Sequence, residues 1–232
     1  MTDIASQFSQ VTQTIEQHCQ HAQRPISDVQ LLAVSKTRSA DQVAELHHLG
    51  QIHFGENYLQ EALDKQEALA NEKIIWHFIG PIQSNKTRPI AENFSWVHSV
   101  DRLKIAKRLA EQRPAELAPL NICLQVNISN EENKAGCSAQ EVLPLINELA
   151  NFKQLRVRGL MAIPKATDDP HEQQQAFTAM KQLLAQCQEN HPQLDTLSMG
   201  MSGDIGPAID QGATIVRVGT ALFGPRDYSN KV

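Results

Sequence analysis

The chain of 232 residues is 41% hydrophobic and carries a formal charge of −5 from 26 acidic and 21 basic side chains. That length suits two small domains or one α/β barrel, and charges scattered without a basic stripe argue against nucleic acid and for a small or neutral partner. Cys19, Cys123, Cys137 and Cys187 form no C-x-x-C pair, so no zinc or disulfide framework is signalled and a reducing cytosol is the expected home; no basic leader with an apolar run, and no membrane-spanning segment, is expected either.

Ile4, Phe8, Val11 and Ile15 recur at helical spacing and predict an amphipathic helix over the first twenty residues, outside the pattern that follows. A β-rich run at 29–35 then leads to a helix at 39–49 stopped by Gly50. The alternation continues with strand 51–54 and helix 57–70, strand 74–79 and helix 85–93, strand 96–99 and helix 101–111. It runs on through strand 120–126 and helix 139–149, strand 157–160 and helix 171–189, strand 196–199 and helix 204–211 before Gly212, and ends in a strand at 214–218. Ser39, Asn57, Asp101 and Ser138 are the expected N-caps, with Gly50 and Gly212 as C-terminal stops. Strands separated by such helices pair in parallel through right-handed crossovers. Eight units predict an α/β fold: a single (β/α)8 TIM-type barrel with an extra N-terminal helix, the competitor being an open doubly wound sheet. No Pro-, Gly- or Ser-rich boundary splits the chain, so residues 1–232 are expected to be one domain, with 1–24 packing outside the barrel.

Barrels place chemistry at the carboxyl ends of their strands. Those ends are polar here: Lys36, then Gly55-Glu56-Asn57, HFIGPIQSNK, Ser99 with Asp101, Asn127, Met161, SMGMSGD and RVGT. Burial disfavours the ammonium form of Lys36, and a neutral amine condenses with carbonyl groups. On the lysine alone, a snorkelling or salt-bridging role is the better reading. Gly200, Ser202 and Gly203 precede a short helix, while Gly219 and Thr220 follow the last strand. Small residues there let backbone N–H groups and two hydroxyls close on one anion, with the helix N-terminus adding positive charge. The same glycines also suit plain tight turns. Arg217 shares a face with Gly219 and points into the barrel if Val216 and Val218 face the helices. Its acceptor is then a pyridine nitrogen in a phosphorylated ligand or an internal carboxylate. His18 with His21, and His47 with His48, lack a third ligand nearby and read as surface histidines, so no metal is expected.

Taken together, LLAVSKT, FGENYLQE, WHFIGPIQSNK, GLMAIP, LSMGMSGD and VRVGTALFG resemble the pyridoxal phosphate homeostasis protein family, also called the YggS or PROSC family, from Val29 to Tyr228. The resemblance implies a barrel similar to the N-terminal domain of alanine racemase, binding pyridoxal 5′-phosphate (PLP) as an internal aldimine on Lys36. It implies phosphate contacts from Ser202, Gly219 and Thr220, Arg217 beside the pyridine nitrogen, and Asn57, His77 and Met201 in the pocket lining. Arg38-Ser39 departs from the Lys-Pro of many members, which puts in doubt a second lysine beside Lys36. Lys134 resembles the family's lysine over the barrel mouth and reads as a lid or secondary contact, or as a solvated loop charge.

An arginine at the pyridine nitrogen leaves it unprotonated and weakens the ring as an electron sink. Tyr58 and Tyr228 have no obvious place opposite Lys36, and the barrel leaves no residues for a second domain. The expectation is a monomeric cytoplasmic PLP-binding protein of vitamin B6 homeostasis, not an enzyme, with indirect effects on amino-acid and keto-acid pools and PLP-dependent apo-enzymes as candidate recipients. The alternatives are a PLP-dependent amino-acid racemase or other low-activity PLP enzyme, a Schiff-base aldolase, and an interaction protein with a vacant barrel mouth. The tail RDYSNKV is expected to fray.

Overall fold

A run of apolar residues with a two-residue period has two faces to bury, and in this chain both are buried. The structure, a computed structural model, describes residues 3–132, 134–167 and 169–225. Its strands are β1 (Gln30–Val34), β2 (His53–Glu56), β3 (Ile75–Phe78), β4 (Trp96–Val100), β5 (Leu120–Gln125), β6 (Leu155–Met161), β7 (Thr196–Ser198) and β8 (Ile215–Val218). All neighbours pair in parallel and β8 returns to β1, closing a barrel in chain order. One face of each strand packs under the helices, as with Ala33, Phe54, Val97 and Val216. The other face fills the interior, where Leu32, Trp96, Cys123, Met161 and Ile215 form a smaller cluster. On β1 this alternation puts Leu32, Val34 and then Lys36 on the interior face.

The helices are α1 (Ile4–His21), α2 (Ala40–His48), α3 (Leu59–Ala68), α4 (Thr87–Asn93), α5 (Leu103–Gln112), α6 (Ala139–Leu149), α7 (Pro170–Gln188), α8 (Ile205–Asp210) and α9 (Thr220–Phe223). α1 buries Ile4, Val11, Ile15 and Cys19 and packs on α8, α9 and α2. Its approach depends on Gly206, where an added Cβ would lie 2.3 Å from the His18 ring. Among the described residues no helix is long and apolar enough to cross a membrane.

Ser39 and Ser138 open α2 and α6 in reciprocal capping boxes with Gln42 and Glu141. Asn57 and Asp101 do not cap: Tyr58 and Arg102 occupy those positions without a side-chain cap bond. Asp101 spends its carboxylate on Arg102, and Asn57 continues the interior face of β2 into the barrel mouth. Ser39→Ala removes the acceptor of the Gln42 N–H and is expected to cost about 1 kcal/mol, read as a lower denaturant midpoint with unchanged slope.

Candidate functional site

Where the interior faces of β1, β2 and β8 run out, a cavity of about 290 Å³ opens at the carboxyl ends of the strands, near the lower end of small-ligand sites. Val34, Ile79, Met161 and Ile163 give it apolar walls, and Lys36, Asn57 and Arg217 bring polar groups from strand ends. Ser202, Gly203, Gly219 and Thr220 face it from the turns after β7 and β8. Seven of the residues expected from the sequence therefore converge: Lys36, Asn57, Met201, Ser202, Arg217, Gly219 and Thr220 all line this space.

The backbone around Lys36 is clamped from outside the barrel. Lys65 on α3, only 4% exposed, donates to Ser35 O at 2.7 Å, Glu56 Oε1 at 2.8 Å and Glu61 Oε1 at 2.6 Å. Ser35 Oγ donates to Glu56 Oε1, and the Thr37 N–H donates to Glu61 Oε1, both at 2.6 Å. Thr37 adopts φ 63°, the left-handed region that a β-branched residue rarely enters. The residues on both sides of Lys36 are thus fixed by one buried ammonium. Burial raises the Glu56 carboxyl above the usual range, opposed by Lys65 and Ser35.

Arg217 forms the floor, 5% exposed. Nη1 donates to Ser198 O at 2.7 Å and Ser198 Oγ at 2.8 Å, and Nη2 donates to Ala162 O at 2.8 Å. Burial lowers its pKa to about 10, opposed by Asp204, so it stays a cation at neutral pH. It forms no ion pair among the described residues, which removes the internal carboxylate left open by the sequence. Two of its five N–H groups have no acceptor among the described residues. Asn57 Oδ1 is likewise buried without a hydrogen-bond partner.

The turns after β7 and β8 supply the remaining polar groups. The N–H groups of Ser202 and Gly203 have no partner among the described residues, while the Met201 N–H is held by Asp204 Oδ1. Gly219 is needed small: an added Cβ would stand 3.2 Å from Val34 O on the neighbouring strand. Gly80 lets the turn after β3 close on Asn57, whose carbonyl oxygen would lie 2.1 Å from an added Cβ. The short helix expected after β7 is present: α8 begins at Ile205, just past Ser202 and Gly203, and has six residues.

His77 is the correction. It is fully buried on the interior face of β3, stacked on Trp96 with ring centroids 5.4 Å apart, and does not line the cavity. The strand period puts it one layer below Ile79, which takes the lining position instead. Arg38, which stands where many family members have lysine, borders the cavity, donating to Gly224 O and lying over Phe223. Lys134 stands apart from the lining, 2.6 Å from Glu131 Oε1 and donating to Pro164 O. Tyr58 is 53% exposed at the start of α3, and Tyr228 lies outside the described residues, as does the whole of the tail RDYSNKV. The ring nitrogens of His47 and His48 both face Glu72, and among the described residues no three ligands group around a metal position.

Comparison with known proteins adds three findings. The family described as alanine racemase, N-terminal domain, matches residues 10–227. A protein named pyridoxal phosphate homeostasis protein from Pseudomonas aeruginosa is 56% identical over 98% of this chain and 98% of its own. Among solved structures, PipY of Synechococcus elongatus without PLP superimposes with a TM-score of 0.85 at 38% identity, covering 96% of this chain and all of that one. The same protein with PLP bound gives 0.83 at 36%. An alanine racemase from Corynebacterium glutamicum shares the fold at 17% identity and a TM-score of 0.68, with this chain covering 62% of its length.

Proposed function

The chain belongs to the pyridoxal phosphate homeostasis protein family, and on that premise we propose that it holds pyridoxal 5′-phosphate in the cavity at the mouth of its barrel. The observation that carries this reading is the Arg217 guanidinium: a buried cation on the cavity floor that, among the described residues, has no carboxylate partner and two unspent N–H groups. A pyridine nitrogen accepts one such N–H. Asn57, with its orphaned Oδ1, suits a ring hydroxyl. Ser202, Thr220 and the N–H groups around Gly203 suit a phosphate, whose negative charge two lining guanidiniums, Arg38 and Arg217, would balance in a protein of net charge −5. When bound, the cofactor supplies an aldehyde carbon that Lys36 Nζ would hold covalently, with loss of water.

The same lining supports retention over turnover. Among the described residues it contains no carboxylate, imidazole, phenol or thiol, so none of them stands ready to move a proton opposite Lys36. A guanidinium facing the ring nitrogen keeps that nitrogen unprotonated, which weakens the ring as an electron sink. The reading is therefore a single-barrel, monomeric cytoplasmic protein that stores the cofactor and releases it to apo-enzymes, with amino-acid and keto-acid pools responding indirectly. Purified protein incubated with PLP is expected to show visible absorbance that borohydride abolishes, leaving the cofactor mass on the Lys36 peptide. Mass on another lysine, or no absorbance at all, overturns the assignment. Steady racemisation of an amino acid that disappears in Lys36→Ala would favour the enzyme reading instead.

A further inference from the structure

Below the cavity floor three imidazoles stand in line inside the barrel. His53 Nδ1 lies 3.0 Å from His77 Nε2, His77 Nδ1 lies 2.9 Å from His98 Nε2, and His98 Nδ1 lies 2.9 Å from Ser198 Oγ. Ser198 Oγ in turn accepts from Arg217 Nη1. The five residues come from β2, β3, β4, β7 and β8, so the chain crosses the interior from the half-buried His53 to the cavity floor.

Every imidazole-to-imidazole link joins an Nδ1 to an Nε2. One neutral tautomer, protonated at Nε2, therefore satisfies all links in a single direction: Ser198 donates to His98, His98 to His77, and His77 to His53. In the opposite direction the Ser198 hydroxyl proton would find no acceptor among the described residues. Bonds running one way polarise one another, and a hydroxyl that has given its proton to His98 turns only lone pairs toward the guanidinium.

We propose that His98 and Ser198 are positioning residues for Arg217, fixing its guanidinium so that two N–H groups stay aimed into the cavity. The proposal rests on reading that cavity as the PLP site. Two buried imidazoles and a half-buried third are costly filling for a barrel interior unless their polar atoms are paired, whereas an aliphatic layer would fill the space without that requirement. Neutrality is essential to the device, because an imidazolium at His98 would reverse the Ser198 bond and stand beside the Arg217 cation. Burial first, and the Arg217 charge second, depress His98 to about 3; His77 lies well below its usual value for the same leading reason. The other titratable groups facing this assembly are Cys123 on β5, its thiol pushed up to about 12 by burial, and Asp204 after β7, which faces Arg217.

The first test uses ligand-free protein and nitrogen NMR of its histidine side chains. His77 and His98 are expected as the Nε2–H tautomer and without titration down to pH 5, and Ser198→Ala is expected to give His98 a mixture of tautomers. The second uses PLP. Ser198→Ala, which leaves His98 Nδ1 and one Arg217 N–H without their buried partner, is expected to lower the melting temperature but remain folded, to bind about tenfold more weakly and to shift the pH profile of the bound absorbance; His98→Asn should act in the same direction. An Nδ1–H tautomer at His98, or wild-type affinity and pH profile in Ser198→Ala, overturns the proposal. Failure of the wild type to bind PLP would instead sink the cofactor reading, and the ligand-free tautomers would still decide whether the chain is polarised toward Arg217.

Discussion

Replacing Lys36 by alanine is expected to abolish the visible absorbance of PLP-loaded protein and to weaken retention of the cofactor by at least about 100-fold, or about 2.8 kcal/mol. The effect is local because the clamp around position 36 does not use its side chain. Lys65 holds Ser35 O, and Glu61 holds the Thr37 N–H, through bonds that alanine leaves in place. Melting is therefore expected to stay close to wild type while the ligand is lost on gel filtration. Lys36→Arg should not rescue, since a guanidinium keeps its proton and offers no nucleophilic amine. If Lys36→Ala retained both colour and cofactor through gel filtration, the covalent assignment would fall, leaving Arg217 and the phosphate turns to explain binding alone.

Periodicity made the barrel readable, and the reason is visible at β1 and β8. Leu32, Val34 and Lys36 alternate with Ala33 and Ser35, so the face of Lys36 follows from the period of two, as does that of Arg217 from Val216 and Val218. The ends of elements were less readable. Asn57 has the chemistry of an N-cap, but the interior face of β2 passes through it, and tertiary position won over local preference. Lys65 lay hidden because a lysine on an amphipathic helix reads as solvated; only the fold brings Glu56 and the Ser35 carbonyl to it. The histidine chain was hidden for a similar reason. His53, His77 and His98 stand 24 and 21 residues apart, and no local spacing announces that adjacent strands stack them. The resemblance puts His77 in the lining, whereas the strand period that puts Lys36 on the interior face at the barrel mouth puts His77 one layer down.

That buried layer has a consequence for stability. His77 and His98 are fully buried with pKa values depressed below the 6.5 of an exposed imidazole. Below pH 6.5 the unfolded chain therefore binds protons that the folded barrel refuses, so the stability present above that pH is lost as pH falls toward the folded values. Each group contributes a slope of about 1.4 kcal/mol per pH unit once the unfolded histidine is protonated, and two give about 2.8. For His98, whose folded value is about 3, the loss from pH 6.5 to 4.5 is about 2–3 kcal/mol, a sizeable part of an ordinary domain's stability of about 5–15 kcal/mol, and His77 adds to it in the same sense. Glu56 and Asp204 act in the opposite sense, because burial raises their carboxyls and the folded state keeps those protons longer as pH falls. Their relief begins only near the carboxylate range, so the histidines govern the first pH unit below 6.5. Urea unfolding from pH 7.5 to 5 is expected to show a steep acid loss that is about halved in His98→Asn. A wild-type curve flat down to pH 5 would mean that the barrel takes up these protons without cost, which a neutral, hydrogen-bonded imidazole chain beside Arg217 does not allow.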